Sequence, residues 1–347
     1  MKKTNVSKLV NKMDSDTANT YMLNAKFLLI VWVVIANCID PLIHQSAILK
    51  AVYLSIYTFH IPMFVMVTGY FSKNFQFNRA GIRSLQLIFY HYLLFQSLYS
   101  LLDALSFHAP GVHYSFFIPY SLLWFLFSHF CWRLLLLLFT KLQHPLVVSI
   151  ALGVLIGYLP FTGAMFSFSR TIVFFPFFLA GYYFHPNVLP IQWLRSFRGL
   201  SVLLASGILL CLSVIPLDPK WLYSSYTYVE LGQLSWLAGA YRLGIYALEA
   251  TASFCFLCFV PHITSTLTEW GKHTVYVFLL HGLILKTIIA TGLFRHIQSP
   301  AQIMLVILFA IALTWLLSQK WVRRLSRPLI EPNLSFLESL VTRKHQI

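Results

Sequence analysis

Residues 24–43 read NAKFLLIVWVVIANCIDPLI. Lys26, Asn37 and Asp40 are the main polar interruptions in a run long enough to cross about 30 Å of hydrocarbon as a helix. A helix is also the form in which an isolated segment satisfies its backbone groups in lipid. Nine further apolar runs follow the one at 22–43, at approximately 50–71, 83–104, 118–140, 145–160, 170–185, 199–216, 238–260, 273–293 and 301–319, the fifth and sixth being short. Charged loops separate them. The pattern predicts an all-α integral membrane protein of about ten transmembrane helices.

Composition supports that expectation. Hydrophobic residues make up 58% of the 347 positions and charged residues 10%, against about 45–50% and 25% in ordinary soluble domains. A soluble globular chain is excluded. The net charge of +15 lies between apolar runs, so it suits membrane orientation and anionic headgroups rather than nucleic acid. Of the 25 Lys and Arg, Lys50, Arg170, Lys220 and Arg295 fall on one side of the expected spans and Lys26, Arg133, Arg242 and Lys286 within them, leaving 17 on the side of the N-terminus. The positive-inside rule then predicts cytoplasmic ends and an even number of spans. The expected organisation is a cytoplasmic N-terminal tail over 1–20 without a cleavable signal, a transmembrane domain over 21–320 and a cytoplasmic C-terminal tail over 321–347.

Five cysteines lie in apolar stretches, and Cys255 and Cys258 are the only close pair. With no second pair or His beside them, buried thiols are the better reading than a metal or redox centre, and no metal is expected. The phosphate-binding G-x-x-x-x-G-K-[ST], the G-x-S-x-G elbow and H-E-x-x-H are absent from the sequence. Inverted repeats, which would point to a secondary transporter, are not apparent.

Ionisable groups inside spans are expensive and therefore candidate site residues. Lys26 and Asn37, eleven residues apart, share a helix face about 16 Å apart, although Lys26 could also snorkel to headgroups. His60 stands mid-span in YTFHIPMFVMVTGYFSK, two residues before Pro62, where freed carbonyls suit a polar cavity. A neutral His there could serve as general base on a hydroxyl or bond a neighbouring helix. Arg133, Arg170 and Arg242 need anions, and Asp40, Asp103 and Glu249 are the few side chains available to Arg133, which leaves room for an anionic ligand. His281, in HTVYVFLLHGLILK, is expected in the cytoplasmic half. The remaining histidines, at 91, 108, 113, 129, 144, 185, 262, 273, 296 and 345, read as solvated or headgroup-facing. The long segment 217–237 carries Trp221, Tyr226 and Trp236, rings that can stack on sugars but that also occur in any interfacial aromatic belt.

Taken in order, NAKFLLIVWVVIANCIDPL, YTFHIPMFVMVTGYFSK, LLWFLFSHFCWRLLL, SRTIVFFPFFLAGYYF, WGKHTVYVFLLHG and RPLIEP resemble the membrane-bound acyltransferase-3 family, in its fucose 4-O-acetylase-like branch, across residues 20–332. The resemblance implies about ten helices around a polar cleft in a bacterial plasma membrane. Acetyl-CoA or another acyl-CoA would enter from the cytoplasm, and an extracytoplasmic or lipid-linked glycan hydroxyl would accept the acyl group. By resemblance Lys26 stands where many relatives have Arg, and His60, Arg133, Arg170, Gly271 and His281 match motif positions. Position 37 is Asn where many relatives have the histidine regarded as catalytic. The expected roles follow: His60 as base with Asn37 polarising the carbonyl, Lys26, Arg133, Arg242 and His281 on the CoA, and Arg170, Trp221, Tyr226 and Trp236 on the acceptor. A polytopic transporter or flippase, or a catalytically silent scaffold for polysaccharide synthesis, are the readings that compete with it.

Overall fold

The computed structural model describes residues 2–106, 116–160, 167–185, 191–215, 217–233 and 235–333, with side chains from residue 16 onward. His108, His113, His345 and residues 334–347 of the expected C-terminal tail lie outside the described residues. The regular structure is helical throughout: α1 (Lys2–Ile39), α2 (Ala47–Tyr57), α3 (His60–Tyr70), α4 (Arg79–Ser106), α5 (Trp124–Phe139), α6 (Pro145–Leu155), α7 (Phe168–Tyr183), α8 (Ile191–Ser196), α9 (Arg198–Val214), α10 (Lys220–Tyr223), α11 (Trp236–Phe259), α12 (Thr266–Lys272), α13 (Thr274–Ala290), α14 (Pro300–Leu317) and α15 (Lys320–Ile330).

Among the described residues five stretches are long and apolar enough to cross a bilayer: 16–42, 47–70, 121–139, 236–259 and 300–317. A sixth exists if α12 and α13, which meet at a 72° bend, are taken as one. The other apolar runs of the sequence are also helical, as α4, α6, α7 and α9. α14 turns Met304, Leu305, Leu308, Phe309, Ile311 and Trp315 outward. A helix apolar on every face with so much of it uncovered requires an apolar solvent.

α1 is the central element, packed against α3, α12, α13 and α14. Glycines set the closest crossings. A Cβ on Gly69 of α3 would stand 2.0 Å from the Phe178 carbonyl oxygen of α7, and one on Gly181 of α7 would stand 1.8 Å from that of Met66. The two helices therefore touch backbone to backbone, as small residues permit in membranes. Likewise Gly271 rests on the Leu23 carbonyl, where a Cβ would come within 2.1 Å. That contact draws the α12–α13 bend in against α1, where Asn24 accepts from the Thr268 hydroxyl at 2.7 Å and Trp270 packs on Phe27.

Both expected tails are partly structured. Residues 2–20 continue α1, with Ala18 buried and the Tyr70 hydroxyl donating to Asn19 at 2.8 Å. At the other end α15 docks on the bundle by burying Val322 and Ile330. His91 Nε2 donates to the Ile330 carbonyl at 2.7 Å, so His91 is a buried structural donor rather than a solvated residue.

Candidate functional site

α1 ends at the Asp40–Leu42 turn, where Pro41 cannot continue the helix. The α2–α3 break, the starts of α5 and α7, and α10 converge on that point. Between them lies a cavity of about 240 Å³ lined by Asn37, Asp40, Tyr53, Tyr57, His60, Ser121, Trp124, Phe125, Arg170, Tyr223 and Phe278, with Val33, Ile61, Phe64 and Leu122. The structure thus brings together three of the residues expected from sequence, Asn37, His60 and Arg170.

His60 opens α3 just after the break and is 3% exposed. Its Nδ1 lies 2.8 Å from the Ile56 carbonyl oxygen. A carbonyl only accepts, so Nδ1 carries the proton and Nε2 keeps its lone pair. The Tyr57 ring meets the imidazole edge-on at 4.6 Å, fixing its plane. The result is a neutral, oriented base on the cavity wall.

Asn37 is arranged differently from expectation. Its Nδ2 donates to the Val33 carbonyl at 3.0 Å and faces His281 Nε2 at 3.4 Å. His281 Nδ1 is itself bonded to the Val277 carbonyl at 2.8 Å, which leaves Nε2 as an acceptor. Both N–H bonds of Asn37 are therefore occupied, and what it has left is its Oδ1 acceptor. It suits a hydroxyl donor better than a developing oxyanion.

Around them runs a polar chain. The Tyr53 hydroxyl donates to Asp40 Oδ1 and lies 2.9 Å from the Tyr223 hydroxyl. Arg170 Nε donates to the Tyr223 carbonyl at 3.1 Å, and its guanidinium lies 5.1 Å over the Trp124 ring. One cation, one carboxylate, a neutral imidazole and three tyrosines thus share the cavity. Asp40, Tyr53 and Tyr223 were missed from sequence. The signal was Asp40, one helical turn beyond Asn37 and so on the same face.

Lys26 and Arg133 lie outside this cavity, Lys26 about three turns of α1 before Asn37. The Lys26 ammonium lies 5.6 Å over Phe71. Arg133 lies 5.4 Å over Phe75 and donates to the Ser84 hydroxyl, while its Nε has no hydrogen-bond partner. His129 stands one helical turn before Arg133 on α5, and its buried Nε2 is also unpartnered. His129 therefore belongs to this cluster rather than to the headgroups. None of the expected counter-anions reaches Arg133: Asp40 holds Tyr53, Asp103 pairs with Lys286, and Glu249 lies fully buried with neither oxygen hydrogen-bonded.

Five expected site residues stand apart from both clusters or shift between them. His281 is beside Asn37. Arg242, 2% exposed, donates to the Trp221 carbonyl at 3.0 Å and the Ser224 hydroxyl at 3.1 Å, and its guanidinium lies 5.5 Å from the Trp221 ring. It pins the 217–237 segment. Trp221 is accordingly buried under Arg242 and against Tyr228, whereas Trp236 is 79% exposed and outside the cavity. Tyr226 lies 5.4 Å from the Lys220 ammonium and does not line the cavity either.

Among the described residues no group of three or more His, Cys, Asp or Glu side chains is placed to hold a metal ion. No protein-family model matches the chain, and neither a curated protein nor a solved structure matches it.

Proposed function

We propose that the chain is a membrane O-acyltransferase that moves an acyl group, acetyl by preference, from acyl-CoA to a hydroxyl of a cell-surface glycan or lipid-linked glycan precursor. The observation that carries this reading is the neutral His60, with its Nε2 lone pair free, in a cavity rimmed by Asp40, Arg170 and aromatic rings. In the reaction His60 Nε2 takes the proton of the acceptor hydroxyl as its oxygen attacks the thioester carbonyl. The carbon–sulfur bond then breaks, CoA leaves as thiolate, and the imidazolium returns the proton to it. Asn37 Oδ1 accepts from a neighbouring hydroxyl of the acceptor and so helps to seat it, and Arg170 is the cation available to the charge that develops in the cavity.

Lys26 and Arg133 hold the donor on the cytoplasmic side of this cavity. The eleven residues between Lys26 and Asn37 correspond to about 16 Å of helix, which the thioester arm has to span. Ten crossings with both ends cytoplasmic agree with the distribution of Lys and Arg. Reporter fusions after Lys73 and Arg198 are expected to read cytoplasmic and one within 217–237 external; the reverse would invert the direction of transfer.

The deciding measurement is release of free thiol from acetyl-CoA by the purified protein, paired with mass spectrometry of surface glycans from cells with and without the gene. A transporter or an inactive scaffold would release no thiol. Loss of an acyl mass from a glycan would identify the group transferred and its carrier.

A further inference from the structure

α15, sequence KWVRRLSRPLI, is strongly amphipathic. It buries Val322 and Ile330 against the bundle and leaves Trp321 and Leu325, the latter 78% exposed, facing outward. Such a helix lies in a membrane interface, with its apolar residues in the acyl boundary and its cations among headgroups. Its inner side is not flat. With the start of α13 it encloses a second cavity of about 330 Å³, lined by His273, Tyr276, Lys320, Arg323, Arg324, Arg327 and Glu331.

The charge in this cavity is unbalanced. Four cations face one carboxylate, and Glu331 is engaged by Arg327 at 3.2 Å. Arg323 Nε is buried without a hydrogen-bond partner. A guanidinium N–H removed from water and left unbonded costs more than one that is satisfied, and a concave ring of Arg and Lys around it matches a tetrahedral oxyanion. These residues share none of the lining of the cavity around His60.

We propose that this cavity binds a phosphate group at the membrane surface. Two sources carry that chemistry: the headgroup of an anionic phospholipid, or a phosphate of the acyl-CoA nucleotide. The second rests on the acyl-transfer reading and the first does not.

The test has one arm for each source. The full-length protein is placed in nanodiscs of phosphatidylcholine with or without phosphatidylglycerol, and bound lipid is read by native mass spectrometry. In parallel, affinity for CoA and for dephospho-CoA is measured in phosphatidylcholine alone. Selective retention of phosphatidylglycerol, reduced about tenfold by Arg323→Gln, assigns the site to lipid. A CoA affinity about tenfold above that for dephospho-CoA, with the difference erased by Arg323→Gln, assigns it to the nucleotide. Unchanged behaviour of Arg323→Gln in both arms, with its unfolding temperature preserved, overturns the proposal. Should Arg323→Gln fail to fold, the exposed Arg324→Gln takes its place under the same criteria. Thiol release by the wild-type protein is scored separately, so failure of the phosphate site is distinguishable from failure of acyl transfer.

Discussion

The cavity at the Asp40 end of α1 and the cluster around Lys26 share one helix but solve opposite problems. In the first, His60, Asn37, His281, Asp40, Tyr53 and Arg170 all have partners within the protein. In the second, among the described residues, no ion pair joins Lys26 or Arg133 to a carboxylate, and Arg133 Nε and His129 Nε2 have no hydrogen-bond partner. Preorganised groups need no rearrangement when a reaction begins, which is what a chemical site requires. Uncompensated cations in a partly buried setting are costly until an anion arrives, which is what a binding site for a phosphorylated donor requires. On the proposed acyl transfer, the difference fits chemistry in the first and donor capture in the second.

The sharpest way to break that assignment is His60→Gln. Glutamine can keep a bond to the Ile56 carbonyl but has no basic nitrogen. Transfer is expected to fall by about 10²–10⁴-fold, measured as thiol release at saturating acetyl-CoA, with the affinity for CoA unchanged. Near-wild-type turnover would remove the base from His60 and shift attention to His281.

In the cluster around Lys26, Arg133→Ala is expected to weaken acyl-CoA binding by about 10–100-fold while a saturated enzyme keeps its turnover. Arg133→Lys should recover only part of the loss, because an ammonium lacks the planar fork. An unchanged dissociation constant in both variants, by isothermal titration in detergent, would make Arg133 structural. His129→Ala tests the same cluster from its uncharged member.

Arg242 sharpens the comparison by belonging to neither. Its removal leaves the Trp221 carbonyl and Ser224 without their donor, and Arg242→Ala is expected to cost about 1–3 kcal/mol of stability. Lowered unfolding temperature with unaltered CoA affinity is the expected pair of results. A CoA defect at preserved stability would return Arg242 to the donor site.

The sequence made the helices legible because an apolar run in a poorly charged chain has few alternatives. All ten runs coincide with helices, including the short ones at α6 and α7. Asn37, His60 and Arg170 were legible for the same reason, as polar groups in places where they are expensive. Height in the membrane was not. His281 was placed by counting from the start of its run, and the 72° bend between α12 and α13 leaves no mark in hydropathy. The bonds of Arg242 to the Trp221 carbonyl and the Ser224 hydroxyl were not legible, because these are ordinary groups in a segment whose folding only the structure reveals. Tyr53 and Tyr223 were lost among eighteen tyrosines, since a tyrosine near an interface has a routine explanation.

The smallest expected effect concerns position 37. His60, His281 and Asn37 each bond the carbonyl four residues earlier in the chain, at 2.8, 2.8 and 3.0 Å. A histidine at 37 can take up the same bond through Nδ1, and its Nε2 would then confront the Nε2 of His281, acceptor against acceptor. One proton shared between two rings would relieve the conflict, giving a pair that holds charge near His60 and adds no second free base. Asn37→His is therefore expected to change the rate of transfer by less than about tenfold, with His60→Gln remaining inactive in that background. A larger gain, or activity in the Asn37→His, His60→Gln double variant, would show that position 37 can act as the base and that Asn37 weakens the site instead of relocating its chemistry.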